Sequence, residues 1–136
     1  MTERKFMKKK LVLAFAAALL ITACAPHTSG IMGSSTGEVR VDNRSFGSEV
    51  SVNQIQARQQ GDLLQGSGII QSKVATDLRL QYKFTWYDVS GFTIEDEASA
   101  WKSLKLHGKQ RMQVTALAPN ANAVRYELYV RKAFSN

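Results

Sequence analysis

Apolar and polar residues alternate without a break from Asp77 to Asp88. Leu78, Leu80, Tyr82, Phe84 and Trp86 fall on one face of an extended chain, and Arg79, Gln81, Lys83, Thr85 and Tyr87 on the other. A period of two predicts a half-buried antiparallel strand. It stops at Asp88–Gly91, where glycine supplies the positive φ of a hairpin turn, and Phe92–Ile94 resumes as a short strand. The chain closes on the same pattern. From Ala123 to Lys132, Val124, Tyr126, Leu128 and Val130 oppose Arg125, Glu127, Tyr129 and Arg131. Before it, Gln110–Leu117 sets Met112, Val114 and Ala116 against Gln113 and Thr115, and Ala118–Asn122 reads as the turn that joins the two into a hairpin. Trp101–Leu106, Glu38–Asp42 and Glu49–Gln56 are further strands. Leu63–Val74, interrupted by Gly66 and Gly68, reads as a strand with a bulge. Trp86 and Trp101 are assigned to the core. Glu95–Ala100 suits a single helical turn with its acidic residues at the N-terminal end. About seven strands at this spacing, with no amphipathic helix, predict an all-β, immunoglobulin-like antiparallel β-sandwich over residues 38–136.

The first residues follow a different rule. Arg4, Lys5, Lys8, Lys9 and Lys10 precede an apolar run, Leu11–Ala23, of 13 residues, and then comes Cys24. A basic start, an apolar stretch too short to span a bilayer and small residues at its end describe a secretory signal peptide, residues 1–23. Ile21, Thr22, Ala23 and Cys24 resemble the bacterial lipobox. That resemblance implies cleavage between Ala23 and Cys24, a diacylglyceryl group on the Cys24 thiol and acylation of the new amine. Two or more acyl chains hold a protein on a membrane where one does so only marginally. Residue 25 is Ala rather than the Asp that tends to retain enteric-type lipoproteins at the inner membrane. The expected address is therefore the periplasmic face of the outer membrane. Residues 24–37, rich in Gly, Ser and Thr, read as the lipidated cysteine and a flexible tether with a span of about 20 Å. Ile31 and Met32 are its apolar exceptions; they read as incidental loop residues, though they suit packing on the domain or a partner.

Composition changes this picture in two places. The 136 residues include one cysteine and two histidines, so no internal disulfide forms, and a four-ligand zinc site would need carboxylates. Of the net charge of +7, residues 1–23 contribute five basic residues and one acidic one. The chain from Cys24 onward keeps 13 basic and 10 acidic residues, or +3. The high charge is thus largely a property of the targeting segment, and nucleic-acid binding loses its main support.

Leu80–Asp88 with Gly91, and the closing Val124–Leu128, resemble the YcfL family of small bacterial lipoproteins, over about residues 78–131. The resemblance implies a periplasmic lipoprotein domain of sandwich type with no assigned activity. It also implies an envelope role, since members are often encoded near an outer-membrane lipoprotein that activates peptidoglycan synthesis. The family has no catalytic motif to transfer, so Cys24 is the one functional position it carries over.

Candidates for chemistry are few. His27 in the tether and His107 beside Gly108 read as solvated, and no serine stands in a nucleophile elbow. Glu95, Asp96 and Glu97 are adjacent, so on a strand they alternate faces and on a helix they spread around it. They read as a solvated acidic loop rather than a cation site. Neither a metal nor a cofactor other than the covalent lipid is expected. The sharpest candidate is a surface. Tyr87 and Tyr129 lie on the polar faces of the two best strands, and if those strands adjoin, Lys83, Arg125 and Arg131 flank them. Such residues dominate contact energetics, although ordinary cross-strand pairing is the more expected explanation of them. The function expected is a binding or scaffolding module anchored by lipid, without catalysis, its partner an envelope protein or the peptidoglycan-synthesis machinery. A structural subunit of an envelope complex is the alternative.

Overall fold

The computed structural model describes residues 29–96 and 99–133. Among them the elements run β1 (Ile31–Ser34), β2 (Val39–Val41), α1 (Arg44–Glu49), β3 (Val50–Gln60), β4 (Leu63–Ser72), β5 (Leu78–Tyr87), β6 (Thr93–Ile94), β7 (Lys102–Leu106), β8 (Arg111–Leu117) and β9 (Arg125–Lys132). One sheet has the order β2-β1-β9-β5-β6, with β7 also against β5, and the other is β3-β4-β8. Every pairing is antiparallel. The all-β sandwich predicted by the strand spacing is thus present, with nine strands among the described residues in place of about seven.

The core lies between the sheets and follows the alternation. Leu78, Leu80, Phe84 and Trp86 of β5 and Tyr126, Leu128 and Val130 of β9 are buried, as are Val50 and Val52 of β3, Ile70 of β4 and Val114 of β8. Trp86 and Phe84 stack at 6.0 Å between centroids, and both lie against the Tyr126 ring, at 5.3 and 5.5 Å. Burial on this scale supplies the driving force, at about 25 cal/mol per Å² of apolar surface removed from water. The sheets approach closely over Gly66 and Gly68. A Cβ on Gly66 would stand 2.8 Å from the Tyr126 ring, and one on Gly68 would stand 2.7 Å from a Leu128 methyl. Those glycines make room for side chains from the opposite sheet. The bulge expected at them is instead in β3, where the register shifts between Asn53 and Gln56 and Gln54 takes φ +50°.

Several expectations give way to the tertiary structure. Residues 31–34 lie in the expected tether, yet Ile31 and Met32 are 2% and 5% exposed, and β1 pairs with both β2 and β9. The sandwich therefore begins before residue 38. The predicted hairpin of Gln110–Leu117 with Ala123–Lys132 does not form. β8 pairs with β4 and β9 with β1 and β5, so the 118–124 connection crosses from one sheet to the other. Between the strands expected at Glu38–Asp42 and Glu49–Gln56 lies α1, whose N-cap is Asn43; its side-chain oxygen accepts the Phe46 N–H at 3.2 Å, and Phe46 is buried. Trp101 is not a core residue. It is half-exposed and packs on charged side chains of the outer face. The signal peptide, Ala23, Cys24 and His27 lie outside the described residues.

Candidate interaction face

Pairing of β5 with β9 sets Gln81 opposite Arg131, Lys83 opposite Tyr129, Thr85 opposite Glu127 and Tyr87 opposite Arg125. Tyr87, Tyr129, Lys83, Arg125 and Arg131 therefore share the outer face of one sheet, as they must if the two alternating strands adjoin. The row extends sideways, since Tyr129 is opposite Met32 of β1 and Met32 is opposite Arg40 of β2.

The face is organised in two linked clusters. At the centre of the first is Glu127, whose side chain is 17% exposed. Its Oε2 accepts the Tyr87 hydroxyl at 3.1 Å and also the Tyr129 hydroxyl, while Arg125 reaches Oε1 at 3.4 Å. The Arg125 guanidinium also lies 4.0 Å over the Tyr87 ring. In the second cluster Trp101 covers the outer ends of β5 and β9. The Arg131 guanidinium stacks on its ring at 3.7 Å and donates to Gln81 at 3.0 Å. Lys83 stands 5.9 Å from the same ring and 3.3 Å from Asp96. Asp96 also accepts the Thr85 hydroxyl at 3.1 Å, so this one acidic residue folds onto β5, while Glu95 is exposed as expected of a solvated loop. Glu97 of that segment lies outside the described residues. His107 is exposed in its turn, 3.3 Å from Asp77.

Glu127 and Trp101 belong to this face although the alternation of the strands was not read as placing them in it. Glu127 shares a strand face with Arg125, Tyr129 and Arg131, so its place was readable from the alternation. Trp101 carries no such signal, because its segment enters the sheet only at Lys102.

The electrostatics decide what this face can do. Burial, and hydrogen bonding and charge from Glu127, push the Tyr129 phenol well above its ordinary value. Burial raises Tyr87 as well, with Glu127 adding to it. Both stay neutral phenols at physiological pH and serve as donors. Glu127 receives three donors, which leaves it engaged and ill-suited to take a proton from a substrate. Hydrogen bonding to Asp42 holds the Arg40 guanidinium firmly charged. Aromatic surface with satisfied polar groups is suited to contact. A cleft of about 250 Å³ beside it, lined by Phe84, Trp86 and Leu117 together with Lys83, Ser99 and Lys102, has mixed polar and apolar walls. Among the described residues no three His, Cys, Asp or Glu side chains are grouped to hold a metal ion.

A family model described as protein of unknown function (DUF1425) matches residues 37–132. A crystallised DUF1425 family member from Shewanella sp. pv-4 is 64% identical, with a TM-score of 0.60, covering 79% of this chain and 99% of its own. Campylobacter jejuni cj0090, 24% identical, matches at a TM-score of 0.53 over 60% of this chain and 85% of its own, a likeness of fold. No curated protein matches the chain.

Proposed function

The chain belongs to the DUF1425 family, and for this member we propose a lipid-anchored binding or scaffolding module, without catalysis, at the periplasmic face of the outer membrane. The observation that carries the reading is the join between motif and fold. Cys24, the only cysteine, ends an export-type segment, and Ile31, the seventh residue after it, is already buried in the sandwich. Seven residues reach at most about 25 Å. An acylated Cys24 would thus hold the domain against the bilayer, with the Tyr87–Tyr129–Glu127 face as the surface offered to a partner. Its resemblance to small bacterial lipoproteins supports an envelope protein, or the machinery of peptidoglycan synthesis, as that partner.

Labelling cells with palmitate tests the anchor. The protein should take up label and fractionate with the outer membrane, and Cys24→Ser should remain unlabelled. Undiminished labelling of that variant, or full-length protein in the cytosol, overturns the reading. A photo-crosslinker at position 129 tests the face. Several substoichiometric adducts are expected of a scaffold, whereas a single stoichiometric adduct identifies a structural subunit instead.

A further inference from the structure

The two ends of the sandwich differ in charge, and the chain enters at one of them. β1 starts beside the end of β9, with Ile31 opposite Val130, and the Gly30 carbonyl accepts the Asp42 N–H at 2.8 Å. The segment from Cys24 therefore arrives at the end that also carries α1, the β4–β5 connection, the β7–β8 turn and Lys132. This proximal end holds seven Lys and Arg residues against Asp42, Glu49 and Asp77, while the rest of the described residues hold six against six. Arg44, Arg79 and Arg111 are exposed and have no carboxylate at ion-pair distance among the described residues. Lys73 and Lys109 direct their ammonium groups at the carbonyls of Gly47 and Lys73, which leaves both charges uncancelled. Only Lys132, at 2.9 Å from Glu49, and Lys105, at 3.7 Å from Asp77, are paired.

We propose that this proximal end is a contact surface for anionic phospholipid, a second and electrostatic attachment that holds the domain upright on the bilayer. The proposal rests on the lipid-anchored reading for its geometry. Five residues lie between Cys24 and Gly30, a reach of at most about 20 Å, so the unpaired cations stay close to the headgroups. Charge attraction to a surface acts over about 10 Å at 0.1 M salt, which is within that reach. The opposite end, with exposed Val89, Phe92 and Val124, then points away from the membrane. The Tyr87–Tyr129 face stands along the side, open to the periplasm.

The test uses residues 29–136, which lack both the basic leader and Cys24. The crystallised Shewanella chain, matched over 99% of its length by 79% of this one, shows that a chain of this extent folds alone. Sedimentation with vesicles of phosphatidylcholine alone is compared with vesicles containing about 30 mol % phosphatidylglycerol. Binding to the anionic vesicles should exceed the neutral level at least about five-fold in low salt and fall to that level by about 0.5 M salt. R79Q/R111Q should lose most of it, whereas R58Q/K102Q, with the same change of charge elsewhere, should retain it within about two-fold. Equal binding to both lipids, no binding to either, or equal loss in both variants overturns the proposal. Because Cys24 is absent, the outcome is independent of acylation, which palmitate labelling of the full chain decides separately.

Discussion

Tyr126 and Tyr129 stand three residues apart on β9 and face opposite sides of one sheet. The Tyr126 ring is fully buried, and its hydroxyl reaches across to the other sheet, 2.6 Å from the Gln56 carbonyl and 2.8 Å from that of Ser67, while accepting the Ser67 N–H at 3.1 Å. It thereby satisfies backbone groups beside the β3 bulge, where the ladder between β3 and β4 is interrupted. The Tyr129 hydroxyl binds side chains of its own sheet, Glu127 two residues away on its strand and Tyr87 on β5. One tyrosine fastens two sheets together, and the other arranges a surface. Buried donors and acceptors left without partners cost their full desolvation, whereas Glu127 without Tyr129 keeps Tyr87 and Arg125.

The largest effect separating the two sides should come from Leu128→Ala. Leu128 is fully buried over Gly68, and its truncation should destabilise the domain by about 2–5 kcal/mol in urea unfolding. Next, Tyr126→Phe should cost about 1–3 kcal/mol and Tyr129→Phe less than about 1 kcal/mol. The reverse order would break the comparison, since it would place the fastening on the outer face.

Alkaline titration sharpens the comparison. Burial raises Tyr126 above its ordinary value of 10, and burial with Glu127 raises Tyr87 and Tyr129. A phenol whose folded value exceeds its unfolded one favours folding while it is neutral. The stability it contributes is whole below pH 10 and is lost as pH rises through the folded values. Phenolate absorbance of the folded protein should lag that of the unfolded chain, and urea midpoints should fall above pH 10. Coincident curves would remove the buried character of these rings. Smallest of all, Trp101→Ala should cost about 0.5–1 kcal/mol, the scale of its contact with the Arg131 guanidinium. A loss of about 3 kcal/mol or more would return Trp101 to the core, where the sequence reading put it.

The legible part of the fold is the part with one wet side and one dry side. β5 and β9 alternate cleanly, so their inner residues were readable, and so was the shared face of Tyr87, Tyr129, Lys83, Arg125 and Arg131 once the strands adjoin. β1 was not legible because both its faces are covered. Ile31 joins the core, Gly33 faces the Ile55 side chain, and Met32 is buried on the outer side, so no alternation appears. The six residues of α1 are too few for a period of 3.6 to show, although Asn43 is the residue type that caps a helix. The bulge at Gln54 is set by a non-glycine residue with positive φ, whereas Gly66 and Gly68 offered a stronger and misleading local signal.

Side-chain periodicity by itself determined that this chain makes a sandwich of antiparallel strands and which residues of its best strands turn inward. Which strands become neighbours was decided only in three dimensions. Backbone hydrogen bonds are the same for every residue that can donate and accept, so a strand's own alternation states which face is dry but not what lies beside it. That is why the turn at 118–122 joins two sheets rather than two paired strands, and why Glu127, one polar residue among several, becomes the centre of the outer face.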